Sequence, residues 1–369
     1  MKPTAKLHEF GQSLWLDNIS REMLDSGQLQ RYIDEYSVTG LTSNPSIFDK
    51  AIASGAYDDE IRRKAAAENP EELFFELAFK DLGRAADLFE PIHRRTRGVD
   101  GWVSLEVSPL LADDASRTVQ AAADLHARAG RENLFIKIPG TPVGLAAIEE
   151  SIFAGVPINV TLLFSREHYL AAADAYMRGI ERRVAAGLDP AVNSVASVFM
   201  SRWDAAVLDR VPDALRGRLA VAVGLKTYQA YRESMASERW QRLANEGARV
   251  QRLLWASTST KDPTSPDTLY VRCLSAPHTV NTMPESTLLA FHDHGTVDAP
   301  MPTDGGDADA TLAEFEPAGV DVAALGAKLQ SDGAKAFVDS WNDLLKRIDD
   351  QVAALRAWAS CGSAARGGH

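Results

Sequence analysis

Short apolar runs alternate along this chain with longer stretches of helical period, the pattern of βα units that build a parallel sheet. The spacing predicts strands at Ser13–Asp17, Val38–Asn44, Trp102–Val107, Asn133–Ile138, Ile158–Leu163, Ser194–Met200, Arg252–Ser257 and His278–Met283. Eight such units predict an α/β fold, a (β/α)8 TIM barrel. Helices are expected between them, among others at Asp114–Ala129, Gly144–Ala154, Arg166–Arg183 and Tyr228–Glu246. The long connection from Pro45 to Gly101 should hold several, and that from Asp204 to Gln251 two. After the last strand the texture changes: Thr296 to Ala310, with Pro300, Pro302, Gly305 and Gly306, predicts a loop. Helical patterns follow at Val322–Leu329 and Gly333–Trp358. In the second of these Phe337, Trp341, Leu344, Leu345 and Ile348 share one face, a packing stripe with no ligand role. The tail is therefore expected to be a helical extension packed on the barrel, crossing its mouth and limiting access. One domain is expected, with the barrel over about 12–295, the extension over about 296–360 and a disordered tail at 361–369.

The 369 residues are 45 % hydrophobic, enough for a large core, and carry a net charge of −12. That charge, with no basic stripe, speaks against a nucleic-acid partner but leaves room for small anions held by a few local cations. Two cysteines, Cys273 and Cys361, lack metal-ligand spacing and are expected as free thiols in a reducing compartment. Residues Met1 to Phe10 lack the apolar core of a signal peptide, and no apolar stretch is long enough for a bilayer. A cytoplasmic protein is expected, monomer or homodimer.

Strand parity carries the chemistry. Within a barrel strand alternate positions face the outer helices and the interior. Leu134, Ile136 and Ile138 share one face of the fourth strand, leaving Asn133, Phe135 and Lys137 on the other. Val103, Leu105 and Val107 oppose Ser104 and Glu106; Ile158, Val160 and Leu162 oppose Asn159 and Thr161; Leu14 and Leu16 oppose Trp15 and Asp17. The apolar faces must meet the helices, so Asp17, Glu106, Lys137, Asn159, Thr161 and Ser197 point inward. A barrel interior is normally branched and apolar, and burying so many polar groups is costly unless they form a site. They also lie toward the C-terminal strand ends, where barrel enzymes place their chemistry. Kept from water, a lysine amine shifts toward its neutral form, which attacks a ketone to give an iminium ion, an electron sink. The adjacent carbon–carbon bond can then break, leaving a three-carbon enamine for an acceptor aldehyde. Asp17 and Glu106 are available as acid/base groups whose shared environment can separate their roles. Thr161 can hold a water for Glu106, and Asn44 and Asn159 can fix substrate hydroxyls. This chemistry needs no metal or organic cofactor.

These residues sit in segments that resemble the transaldolase family. Leu41-Thr-Ser-Asn-Pro45 resembles its T-x-N-P turn, Val103-Ser-Leu-Glu-Val107 its glutamate strand and Phe135-Ile-Lys-Ile-Pro139 its lysine strand. Ile158-Asn-Val-Thr-Leu-Leu-Phe-Ser165 is similar to its N-x-T-L-x-F-S strand; Ser194 to Arg202, Leu254-Trp-Ala-Ser-Thr258 and Thr279-Val-Asn-Thr-Met-Pro284 complete the match. The resemblance spans nearly the whole chain and looks closest to the longer bacterial branch. It implies dihydroxyacetone transfer from sedoheptulose 7-phosphate or fructose 6-phosphate to glyceraldehyde 3-phosphate or erythrose 4-phosphate, in the non-oxidative pentose phosphate pathway. It implies Lys137 as nucleophile, Asp17 as acid/base at carbon–carbon cleavage and Glu106 as acid/base in the Schiff-base steps. Asn44, Asn159, Thr161 and Ser197 would orient substrate and catalytic water, Phe199 would line the pocket and Arg202 would bind phosphate. Where shorter members carry a second phosphate-binding arginine, this chain has Ser257-Thr-Ser-Thr-Lys261. Ser257, Ser259 and Lys261 are the candidates to substitute.

Plainer roles compete at several positions. Asp17 could cap a turn, Glu106 could be only a buried ion-pair partner, and Asn44 before Pro45 could be a turn residue. Arg202 could pair with Asp204 or Asp209 on the surface. His292-Asp-His294 hints at a metal but has no third ligand nearby, and Gly224-Leu-Lys-Thr227 belongs to a helix instead of a phosphate loop. The alternatives in function are a Schiff-base sugar-phosphate aldolase, which releases its fragment to water, and a non-catalytic sugar-phosphate-binding barrel.

Overall fold

The computed structural model describes residues 1–64 and 69–364, with side chains to residue 355. Eight strands lie where hydrophobic spacing predicts them: β1 (Ser13–Asp17), β2 (Val38–Thr42), β3 (Val103–Glu106), β4 (Leu134–Pro139), β5 (Ile158–Leu163), β6 (Ser194–Phe199), β7 (Gln251–Ala256) and β8 (Val280–Met283). All ladders are parallel, and the order β2-β1-β8-β7-β6-β5-β4-β3 runs around a nearly closed (β/α)8 barrel. The seam between β2 and β3 is thin. One bridge, Gly40 to Trp102, closes it, with Leu41 N–H donating to the Trp102 carbonyl at 2.8 Å and Gly101 N–H to that of Thr39 at 2.9 Å.

Outward faces such as Leu14, Leu16, Leu134, Ile136, Ile138, Ile158 and Val160 are fully buried under the helices. The inward faces are layered. At the floor Trp102 stacks on Phe135 with ring centroids 4.0 Å apart, and the Trp15 indole lies over Gly40. Asp100 accepts from Trp15 Nε1 at 2.7 Å and from Ser13, whose hydroxyl also takes Arg252 Nη2 at 2.7 Å. Above this floor the interior turns polar toward the C-terminal mouth.

Several expected boundaries shift. Helices at Ala115–Ala129, Pro142–Ala154 and Arg166–Ala185 match, each begun by a side-chain cap from Asp114, Thr141 or Ser165. The segment Tyr228–Glu246, expected as one helix, is divided where Ser237 ends Leu219–Ala236 and caps Glu238–Asn245. Gly224 to Thr227 lies within the first of these. In β5 the register jumps between Val160 and Leu163, and Leu162 takes φ +60°. This bulge breaks the alternation, so Leu162 is not an outward residue like Ile158 and Val160; its side chain meets Gly333 of the tail. The tail holds one 43-residue helix, Val322–Ala364, where two segments were expected. It runs past residue 361, where the disordered tail was expected to begin; residues 365–369 lie outside the described residues. Cys273 is a free, half-buried thiol, and the Cys361 side chain lies outside the described set. Among the described residues no helix is long and apolar enough to cross a membrane.

Candidate active site

Sheet register assembles the central group. Glu106, Lys137 and Asn159 are cross-strand neighbours on β3, β4 and β5, and Asp17 sits beside Thr42 across β1 and β2. Lys137 (6 % exposed) and Glu106 (7 % exposed) form a close ion pair, and Lys137 Nζ also donates to the Ser43 carbonyl at 3.0 Å. Asp17 accepts from Thr42 Oγ1 at 2.8 Å, and that hydroxyl shares a 2.6 Å contact with Thr282 Oγ1. Beneath them Ser197 donates to Asn159 Oδ1 at 2.6 Å, and Asn159 Nδ2 donates to Ser104 Oγ at 3.2 Å.

Desolvation governs both carboxyls. Burial pushes Asp17 above its ordinary value, against the nearby Lys137 charge and the Thr42 hydrogen bond. Burial likewise pushes Glu106 up, opposed by the charge and hydrogen bond of Lys137 and reinforced by Asp17.

Above this group opens a cavity of about 250 Å³. Asp17, Asn44, Lys137, Thr161, Ser197, Phe199, Arg202, Ser257, Ser259 and Lys261 all line it, ten of the twelve residues singled out from the sequence. The other two, Glu106 and Asn159, are absent from its lining; they flank Lys137 on the neighbouring strands, and Asn159 accepts from Ser197. Asn44 has both of its competing roles: its side chain caps the helix Pro45–Ala53, accepting from Ile47 N–H at 3.1 Å, while the residue borders the cavity. Glu106 is a buried ion-pair partner, and the partner is Lys137 itself. The competing surface pair of Arg202 with Asp204 or Asp209 does not form among the described residues. Asp204 instead accepts from Tyr270 Oη at 2.8 Å and Leu219 N–H at 3.0 Å. The Arg202 guanidinium lies between Phe199 (5.1 Å) and Phe164 (5.9 Å), and burial draws it below its ordinary value. Ser257 shares a 2.8 Å contact with the Ser201 hydroxyl, and Lys261 Nζ donates to Ser259 at 3.1 Å.

Sequence reasoning missed Thr42, Thr282, Ser46, Phe337 and Ser340, which also line the cavity. Thr42 was visible in the quoted turn and shares the inward parity of Gly40. Phe337 packs against the core as its place in the stripe predicts, and the structure adds a second role. Trp341 only packs, buried against Phe74 and Phe75 with centroids 5.1 and 5.8 Å away, while Phe337 also lines the cavity. The two histidines of the His292-Asp-His294 segment have separate partners. His292 stacks on Tyr36 at 4.0 Å and His294 meets Asp267 at 3.0 Å.

A larger cavity, about 780 Å³, opens at the N-terminal end beside Asp100, Trp102, Phe135 and Arg252. No lysine lines it, and the Arg252 donors are spent on Ser13 Oγ and the carbonyls of Val99 and Thr279. Lys137 and Asp17 line the smaller cavity.

A family profile described as Transaldolase/Fructose-6-phosphate aldolase matches residues 14–348. A transaldolase of Arthrobacter sp. (strain FB24) is 44 % identical over 365 residues, covering 96 % of this chain and 98 % of its own. One from Thermobifida fusca is 46 % identical, covering 95 % and 99 %, and one from Neisseria gonorrhoeae is 44 % identical, covering 91 % and 96 %. With barrel, inward lysine and carboxylates in place and these matches running end to end, the chain belongs to the transaldolase/fructose-6-phosphate aldolase family.

Proposed function

We propose that the chain transfers a dihydroxyacetone unit from fructose 6-phosphate or sedoheptulose 7-phosphate to erythrose 4-phosphate or glyceraldehyde 3-phosphate through a Schiff base on Lys137. The observation that carries this reading is Lys137, paired with buried Glu106, lining with Asp17 one cavity whose wall includes Arg202. A carboxyl pushed up by burial is suited to take the proton from the adjacent ammonium, which frees the amine lone pair. The amine adds to the ketose carbonyl carbon. Glu106 then protonates the departing hydroxyl of the carbinolamine, and water leaves as the iminium forms.

Asp17 removes the proton of the hydroxyl beyond the bond to be cleaved. The bond electrons move into the iminium, and the aldose phosphate departs. The enamine that remains attacks the aldehyde carbon of the acceptor, Asp17 returns its proton to the new alkoxide, and hydrolysis frees the product. Among the described residues the buried Thr161 hydroxyl has no hydrogen-bond partner, which suits it to hold the water used by Glu106. Asn44, Asn159 and Ser197 supply neutral polar groups for the sugar hydroxyls. Arg202, free of any carboxylate among the described residues, is suited to the substrate phosphate. Ser257, Ser259 and Lys261 complete that end, with lysine a point charge where an arginine would be a fork. Two cysteines and no disulfide framework fit a reducing compartment such as the cytoplasm.

Borohydride reduction in the presence of fructose 6-phosphate tests this. A three-carbon adduct on the Lys137 peptide is expected, and Lys137→Ala should lose both adduct and transfer. Full transfer by that variant would refute the assignment.

A further inference from the structure

The terminal helix (Val322–Ala364) crosses the barrel mouth with its contacts in order. Gln330 donates to the carbonyls of Gly140 (3.1 Å) and Leu162 (3.0 Å), and Gly333 lies against Arg202. One turn on comes Phe337, then Ser340, whose hydroxyl accepts from Ser46 at 3.0 Å, then Trp341 in its socket of Phe74 and Phe75. Farther along, Arg347 pairs with Asp49. Phe337 stands apart from these anchors. It is only half-buried, edge-on to Phe199 at 6.4 Å, and its ring centroid is 5.9 Å from Lys137 Nζ. The ring packs against the edge of the core and at the same time lines the cavity beside the lysine nitrogen.

We propose that Phe337 is a specificity-determining residue: it decides whether the three-carbon enamine on Lys137 goes to a sugar aldehyde or to water. The inference rests on the Schiff-base reading above and deepens it. The enamine has two fates. Its carbon can attack an aldehyde carbonyl, forming a carbon–carbon bond while the new alkoxide takes a proton. Alternatively the carbon takes a proton, water adds to the resulting iminium, and the carbinolamine expels the Lys137 amine. That second path consumes one water and releases dihydroxyacetone. Its distinguishing step requires a water placed to protonate the enamine carbon, and an aromatic ring at this distance excludes water there. Trp341, one helical turn along, is seated against Phe74 and Phe75 and lies outside the cavity lining.

The branching ratio from the common enamine tests this, because a loss of folded enzyme lowers both branches alike. Fructose 6-phosphate is supplied with and without erythrose 4-phosphate, and free dihydroxyacetone is measured against the three-carbon unit transferred. Phe337→Ala should raise that ratio on the order of tenfold. Phe337→Leu should give an intermediate rise and carries the test if the alanine variant does not fold. Trp341→Phe, which loosens the anchor and leaves the cavity lining intact, should keep the wild-type ratio. An unchanged ratio in the Phe337 variants would overturn the proposal, as would an equal rise in Trp341→Phe. Failure of the underlying reading would look different: the wild-type protein itself would give no borohydride-trapped adduct.

Discussion

Asp17 is ionisable and half-buried, and its desolvation outweighs the help of the Lys137 charge and the Thr42 hydroxyl, which costs stability. The folded protein holds the Asp17 proton more tightly than the unfolded chain does. Stability contributed at this position therefore falls as pH rises above the ordinary aspartate value of 3.8, and the loss is complete once pH passes the raised folded value. Asparagine at 17 keeps an acceptor for Thr42 and removes the charge. Asp17→Asn should consequently melt a few degrees higher than wild type at pH 8 and about the same near pH 4, while transfer falls about 10²–10⁴-fold. Thermal melts at both pH values beside a turnover assay check this, and a lower melting temperature at pH 8 would contradict it. At this scale the sequence was informative. A lysine and two carboxyls opposite apolar faces had to point inward, and they do. It was silent on Phe337, because an aromatic at helical spacing looks the same whether its face meets a core or a cavity.

Among the elements, β5 and the terminal helix depend on each other. The bulge at Leu162 turns a strand carbonyl toward the mouth, and Gln330 answers it together with the Gly140 carbonyl. Gln330→Leu would leave two buried acceptors unpaired and should cost about 1–3 kcal/mol, read from a denaturant midpoint. A midpoint equal to wild type would mean that the helix is held only by its distal anchors at Trp341 and Arg347. Gly333 explains why two helices were expected where one stands. Glycine usually signals a helix end, but here the missing Cβ allows close approach: a methyl would sit 3.0 Å from Arg202 Nη1 and 3.1 Å from Leu162 Cδ2. Such a constraint comes from a partner more than a hundred residues away and leaves no local mark.

The whole molecule needs a closed floor beneath its polar chamber, and Gly40 shows how tightly that floor is built. A Cβ there would meet the Trp15 indole at 2.6 Å, and the indole is tied to Asp100 and wedged near the β2–β3 seam. Gly40→Ala should destabilise by about 1–3 kcal/mol, with a matching drop in the chemical-denaturation midpoint; an unshifted midpoint would show that the seam can open to admit a methyl. Strand number, strand placement, barrel architecture and the inward lysine–carboxylate set were all determined by the sequence alone, because a period of two and the need to bury apolar faces leave one orientation for each strand. Which of those inward groups touch, the bulge that turns Leu162, and the aromatic ring over the lysine were decided only by the tertiary structure. Each depends on strand register, barrel closure or a distant helix, and these arise when segments far apart in the chain pack together.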